Sequence, residues 1–530
     1  MSETVVGEKG MVTAPHRAAA EAGAEVLRAG GNAVEAMIAA AAAIAVVYPH
    51  MTGIGGDAFW LIAEPGRPPK AIDGAGRAGA NATIEAYRKK GYDTIPTRGP
   101  EAALTVAAAV STWELAHEVA TDLGGRIPRA DLVASAVALA KEGIPVTHSF
   151  ATLAAENLDG LATAPGFADH YLADGKVPEI GARLAAERIA DTLDHLGRAG
   201  FGDFYRGDIA AEVAADLEAI GSPVTRADLA AQRASLVTPL SVEASGGTVF
   251  NLPPPTQGVA SLIILGLFDR LKVKRAESFE HIHGLIEAAK RAWVIRDRDV
   301  ADPMLSGDVK PFLAASWLDA EASAIDRRRA ASYPPGDPRG DTVWMGAIDA
   351  AGRAVSMIQS IYFEFGSGVV LPRTGMVWQN RGVGFSLDPR SHRALAPGRK
   401  PFHTLNPPLA RFKDGRILSY GSMGGDGQPQ FQSAIFTRHV LFGVEPGEAI
   451  DRPRWRWGRT WGEGEASAVE MENRFDPDLV AALERAGHHV VVIDEPYSHA
   501  MGHAGMILRR PDGRLLGASD PRSDGAAVAA

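Results

Sequence analysis

A threonine at the mouth of a strand, directly behind a loop that cannot bury itself, has the ingredients of an N-terminal nucleophile. Thr342 stands in that position. The preceding segment, Arg327 to Asp341, reads RRRAASYPPGDPRGD and has no aliphatic side chain larger than alanine, so it is expected as an exposed loop. Thr342 to Asp349 and Ala354 to Ile361 follow as two strands joined by the turn Asp349 to Arg353. A hairpin with an even-numbered loop sets Thr342 opposite Gln359, and an odd-numbered one sets it opposite Ser360. Its hydroxyl could attack the carbonyl of Asp341, and hydrolysis of the resulting ester would cut the chain between Asp341 and Thr342. The freed α-amino group, with a reference pKa of ~7.7 to 8.0, could then take the hydroxyl proton near neutral pH. On spacing alone an ordinary edge threonine is the better fit, since most threonines in strands are structural.

The elements that must hold such a group begin near the start of the chain. Met11 to Ala14 reads as a strand, and Arg17 to Ala29 as a helix stopped by Gly30 and Gly31. Asn32 is the expected N-cap of an apolar helix running to about Tyr48, and Asp57 to Ala63 is a strand after the turn Gly53 to Gly56. Alanine-rich helices are expected near Leu104 to Ala120 and Arg129 to Lys141. From about Ser278 to Arg298 the spacing puts Phe279, Ile282, Ile286, Ala289 and Trp293 on one helical stripe.

Composition narrows the chemistry. The chain has 530 residues and no cysteine, so disulfides, thiolate nucleophiles, cysteine zinc sites and iron–sulfur clusters are excluded. Any nucleophile is oxygen or nitrogen. The net charge, 54 − 64 = −10, and the lack of a long basic stripe argue against nucleic acid as a partner. The longest apolar run, Met37 to Val47, is too short to span a bilayer. Met1 to Gly10 lacks the apolar core of a secretory signal, so a cytoplasmic protein without membrane partners is expected.

Other motifs read as structure. Gly53, Gly55 and Gly56 lack the context of a dinucleotide fingerprint and read as packing glycines, and no GxSxG elbow occurs. His281 and His283 are two apart on a helix and cannot share a face, while His499 and His503 fall in a loop, so no metal ligand is assigned. Trp455, Trp457 and Trp461, following Arg452 and Arg454, read as core and interface material.

The stretch TVWMGAIDAAGRAVSMIQSIYFEFGSG, Thr342 to Gly368, resembles the small-subunit start of the gamma-glutamyltranspeptidase family. Further blocks match in order across nearly the whole chain: HRAAAEAGAEVLRAGGNAVEAMIA, GIGGDAFW, FYRGDIAAEVAADL, PPPTQGVA, GSMGGDGQPQ and GASDPRSDGAA. The resemblance implies an α/β fold, the four-layer αββα sandwich of N-terminal-nucleophile hydrolases, matured by autocatalytic cleavage. It implies a large fragment, 1–341, ending in the linker 327–341, and a small fragment, 342–530, which together form one structural domain and stay associated as a heterodimer. Whether such heterodimers pair further is left open. Thr342 matches the catalytic threonine, Ser360 the threonine that hydrogen-bonds it, and Gly424 and Gly425 the pair whose amides form the oxyanion hole. No cofactor is implied.

The family's glutamyl-reading positions have changed. Its arginine falls on Ala75, an acidic residue on Gly384, a glutamine on Arg381, an asparagine on Tyr362 and a serine pair on His403 and Thr404. Arg77, Arg381, His403 and Thr404, with Tyr362 beside them, suit a small anionic amide read by charge-assisted hydrogen bonds. DTVWMG, WQNRG and PFHTLNP resemble most the oxamate amidohydrolase branch of the family, which hydrolyses oxamate to oxalate and ammonia. A gamma-glutamyl hydrolase or transferase, or a related amide acylase, is the alternative within this chemistry, and a catalytically silent binding homologue the alternative outside it.

Overall fold

The computed structural model describes residues 3–332, 342–458 and 467–530. The expected cleavage residue Asp341, most of the linker before it and Trp461 lie outside the described residues. Two seven-stranded sheets stack face to face between outer helices, giving the four αββα layers. The first sheet is ordered Ala526–Ala529, Gly10–Ala14, Val343–Asp349, Ala354–Ser360, Asp57–Ala63, Lys70–Gly74 and Ser235–Val237. The second runs Val5–Gly7, Leu515–Ser519, Ala504–Arg509, Ile417–Ser422, Leu409–Phe412, Gly247–Asn251 and Leu240–Ala244. Both sheets therefore interleave strands from before and after Thr342.

The helix Ala33–Val47 is buried along its whole length, and its small side chains let it lie against the first sheet under neighbouring helices. Asn32 starts it with a capping box: its Oδ1 accepts from the amides of Val34 and Glu35, and Glu35 Oε2 accepts from the amide of Asn32 at 2.7 Å. The buried Glu35 also accepts from the amide of Ile127 at 2.8 Å. On the other side of the sandwich, Gly258–Leu271 packs on the second sheet and Phe279–Asp299 packs on that helix. Among the described residues no helix is long and apolar enough to cross a membrane.

One expected helix begins later than its composition suggests. Residues 104–108 are not helical, and the helix starts at Ala109. The carbonyl of Gly56 accepts from the amides of Ala108 and Ala109, both at 2.8 Å, and Asp57 Oδ1 accepts from that of Ala108 at 3.1 Å. These tertiary partners take over the first amides and set where the helix begins.

Glycines govern how closely the layers approach. The Trp344 ring lies at the interface of the sheets, where a side chain at Gly421 would sit 2.2 Å from it and one at Gly505 2.5 Å. At Gly56, a Cβ would stand 2.1 Å from the carbonyl oxygen of Ser360. Gly55, where a Cβ would stand 2.1 Å from the carbonyl oxygen of Val377, and Gly56 are thus packing glycines, as read from the sequence, whereas Gly53 has room for a side chain.

Candidate active site

The hairpin uses the odd-numbered loop. Val343 pairs with Gln359 and Ile348 with Ala354, so Thr342, one residue before the ladder, comes opposite Ser360. Both side chains are buried, and Thr342 Oγ1 lies 3.1 Å from Ser360 Oγ. Ser360 is itself held: its Oγ accepts from the amide of Tyr362 at 2.8 Å, and its backbone pairs with Asp57 of the next strand.

Gly424 and Gly425 follow the strand Ile417–Ser422 and have φ of +120° and +51°. A side chain at Gly424 would also meet Phe431 at 2.6 Å. Gly425 opens a short 3₁₀ turn, where the first amides have no intrahelical acceptor. Two buried side chains anchor this turn. Gln257 Nε2 donates to the carbonyls of Gly425 and Thr404 at 3.0 and 2.9 Å, and Arg296 Nη1 donates to Asp426 Oδ1 at 2.7 Å.

Four of the five expected substrate-reading residues lie in one network. Arg381 is buried, donates from Nη1 to Thr404 Oγ1 at 3.1 Å, and lies 3.4 Å over the Tyr362 ring. Its Nε and Nη2 are buried without a protein hydrogen-bond partner. These two N–H groups form one edge of the guanidinium, the edge that binds a carboxylate through parallel bonds. Gly384 leaves room beside it, since a Cβ there would lie 3.1 Å from Nη2. Tyr362 has φ of +83°, an uncommon value for a bulky side chain. Thr404 is held through its carbonyl, which accepts from both Gln257 and Asn406.

His403 joins through an aspartate that sequence reading missed. Its Nε2 is 2.8 Å from Asp57 Oδ2, while Nδ1 is buried without a partner. Asp57 Oδ1 also accepts from Gln379 Nε2 at 2.9 Å. A carboxylate only accepts, so Nε2 carries the hydrogen and Nδ1 presents a bare lone pair. Burial pushes the imidazole pKa down to about 4, helped by nearby Arg381 and opposed by Asp57. His403 is therefore a neutral acceptor near neutral pH and supplies no positive charge, in contrast to the expected charge-assisted contact. The signal for Asp57 was its place as a carboxylate opening a strand of otherwise apolar residues, Asp57–Ala63, which is buried throughout.

Arg77 stands apart. Its side chain is exposed, and Nη1 donates to the carbonyl of Gly398 at 2.8 Å. The structure does not bring it to the buried Arg381 network. Trp455 and Trp457 are core residues on one strand, as expected. His281 and His283 diverge as expected, with His281 Nε2 at 2.9 Å from Thr437 Oγ1.

A gamma-glutamyltranspeptidase family model matches residues 19–530. An oxamate amidohydrolase proenzyme of Klebsiella pneumoniae subsp. pneumoniae is 52% identical over 530 residues, covering all of both chains. A glutathione hydrolase-like proenzyme of Bacillus subtilis is 39% identical, again over the full length of both. Among solved structures, a cephalosporin acylase from Bacillus halodurans superposes with a TM-score of 0.90 at 33% identity, covering 100% of this chain and 97% of that one. Ordered sequence blocks, stacked sheets and the position of Thr342 agree with these likenesses, and the chain belongs to the gamma-glutamyltranspeptidase family.

Proposed function

We infer that the protein is an autocatalytically processed amidohydrolase that cleaves the amide of a small anionic acid, with oxamate as the substrate, through an acyl-enzyme on Thr342. The observation that carries the substrate reading is the unpaired Nε/Nη2 edge of Arg381, buried beside Thr404 and His403. Asp57 and Asp426 lie close enough to offset part of the buried guanidinium's charge, but neither pairs with its Nε/Nη2 edge, and a substrate carboxylate would satisfy those two donors. The proenzyme relatives support maturation by cleavage between residues 341 and 342.

Maturation starts when Thr342 Oγ attacks the carbonyl of residue 341 and the peptide nitrogen leaves as the new α-amine. Water then hydrolyses the ester and regenerates the hydroxyl. In turnover the free amine takes the Thr342 hydroxyl proton as the oxygen attacks the substrate amide. The Gly424 and Gly425 amides hold the oxyanion, a contribution of about 2.7 to 4 kcal/mol for one such donor. Collapse of the tetrahedral intermediate expels the nitrogen, which leaves as ammonia after receiving that proton. Water adds to the ester, the amine again accepts a proton, and the diacid departs. Ser360 orients the nucleophile. Arg381 clamps the carboxylate, and the bare Nδ1 of His403 suits an N–H of the substrate amide. Arg77 is left out of this reading because of its exposure. A cytoplasmic location belongs to the same reading and is tested by cell fractionation.

Ammonia release from oxamate is compared with anilide release from a gamma-glutamyl anilide, using matured protein. Oxamate should be the better substrate. Arg381→Ala should raise its KM by about 10- to 100-fold, the value of a hydrogen bond to a charged group, and Arg381→Lys should restore little because the paired donors are lost. Anilide release without ammonia release would sink the substrate reading while leaving the nucleophile in place.

A further inference from the structure

Away from Thr342, three potential metal-binding side chains converge on the outer face of the second sheet's helical layer. His283 and Glu287 are four apart on the helix Phe279–Asp299 and share a face, and His488 approaches from beyond the helix Pro477–Arg485. All three are buried, and one donor atom from each lies within 4.8 Å of the others. The geometry points to a site for one divalent transition ion of the zinc class, held by His283 Nδ1, His488 Nε2 and a Glu287 carboxylate oxygen.

Two imidazoles and one carboxylate suit zinc and its late first-row neighbours, whereas magnesium and calcium prefer all-oxygen sites. The donors are braced from behind as metal ligands usually are. His283 Nε2 lies 2.8 Å from the carbonyl of Asp326, which only accepts, so that nitrogen carries the hydrogen and Nδ1 is free to coordinate. Glu287 Oε2 accepts from the amide of Ala331 at 3.2 Å. Without an ion, Nδ1 of His283 faces Nε2 of His488 at 2.8 Å. An ion at ~2.0 to 2.1 Å from each would set them about 3.3 Å apart, a widening of roughly half an ångström. His488 then carries its hydrogen on Nδ1.

Lys290 opposes the ion. Its Nζ is 2.7 Å from Glu287 Oε1 and 2.8 Å from the carbonyl of Ala331, so it competes for the carboxylate. This contact distinguishes a metal site from a self-sufficient hydrogen-bond cluster. Removing Lys290 should tighten ion binding in the first case and only destabilise the fold in the second. Asp326 and Ala331 precede Thr342 and His488 follows it, so a bound ion would also tie the segments on either side of the proposed cut. The site stands independently of the catalytic reading.

Full-length protein, stripped with EDTA and dialysed, is titrated with Zn²⁺ by calorimetry and with Co²⁺ by visible absorption. Wild type should take up about one zinc per chain at a high-affinity step and give the intense visible bands of four-coordinate cobalt. His488→Gln should weaken zinc binding beyond the about 10- to 100-fold cost of losing an outer hydrogen-bond partner of a ligand. Lys290→Met should bind more tightly than wild type and show a larger zinc-induced rise in Tm. The protein has 15 histidines, and pairs such as His499 and His503, 2.9 Å apart, would persist in His488→Gln, which makes that variant the control. Equal zinc affinity in wild type and His488→Gln overturns the site. So does a wild-type cobalt spectrum that is absent or octahedral, a result that holds even if a variant fails to fold.

Discussion

His403 has one nitrogen committed to Asp57 and the other bare, so its tautomer is set by a residue 346 positions away in sequence. Asp57→Asn changes this without changing size. One oxygen of the side chain is replaced by an NH₂ that cannot accept, and if that group faces Nε2, the ring must shift its hydrogen to Nδ1. The lone pair offered to the substrate then becomes a donor. The expected outcome is a fall in kcat/KM for oxamate of about 10- to 100-fold, the cost of leaving a buried donor without an acceptor. Steady-state kinetics within twofold of wild type would show that this nitrogen does not meet the substrate. Arg381, Thr404 and His403 were legible as candidates because they replace residues of a known pattern. Asp57 was not, because its role depends on the pairing of its strand with the one ending at Ser360.

At the scale of elements, the capping box of Asn32 and the glycine at position 56 make separable demands. Asn32 is buried and satisfies two amides of a wholly buried helix, so Asn32→Ala should lower the unfolding free energy by about 1 to 2 kcal/mol in a urea titration. Gly56 acts on geometry. A Cβ there would collide with the carbonyl of Ser360, so Gly56→Ala should displace the strand end that orients Thr342 and slow maturation. Full-speed appearance of the two fragments on a denaturing gel would contradict that link. Strand and helix identities were readable from periodicity and caps. The start of the helix at Ala109 was not, because its first amides are claimed by Gly56 and Asp57 from another element.

For the whole molecule, the interleaving of strands in both sheets governs the fate of the fragments. Cleavage before Thr342 would yield pieces of roughly 36 and 20 kDa, in proportion to 341 and 189 of the 530 residues, held by one shared core. They should co-elute in gel filtration and separate only in denaturant; elution of a free small fragment would refute this. Acid stability follows from buried histidines. Burial pushes His403 to about 4 and His281 to about 3, below the ordinary 6.5. Between those values the unfolded chain binds more protons than the folded one. Stability is thus highest above about pH 6.5 and falls as pH drops through the window, by about 1.4 kcal/mol per pH unit for each histidine. Urea midpoints measured from pH 7 to 5 should decline steadily, and a flat profile would refute the neutral assignment.

By itself, the amino-acid order determined the nucleophile candidate, the layered class of fold and the main elements around the site. The elements rest on local spacing, caps and side-chain periodicity, which act over a few residues, while the nucleophile and the four-layer class rest on the resemblance of ordered sequence blocks to a known family. Tertiary structure alone decided that His403 is a neutral acceptor, that Arg381 carries an unpaired buried edge while Arg77 faces solvent, and that His283 meets Glu287 and His488. Each depends on burial and on partners distant in sequence, because desolvation and hydrogen bonding act through space.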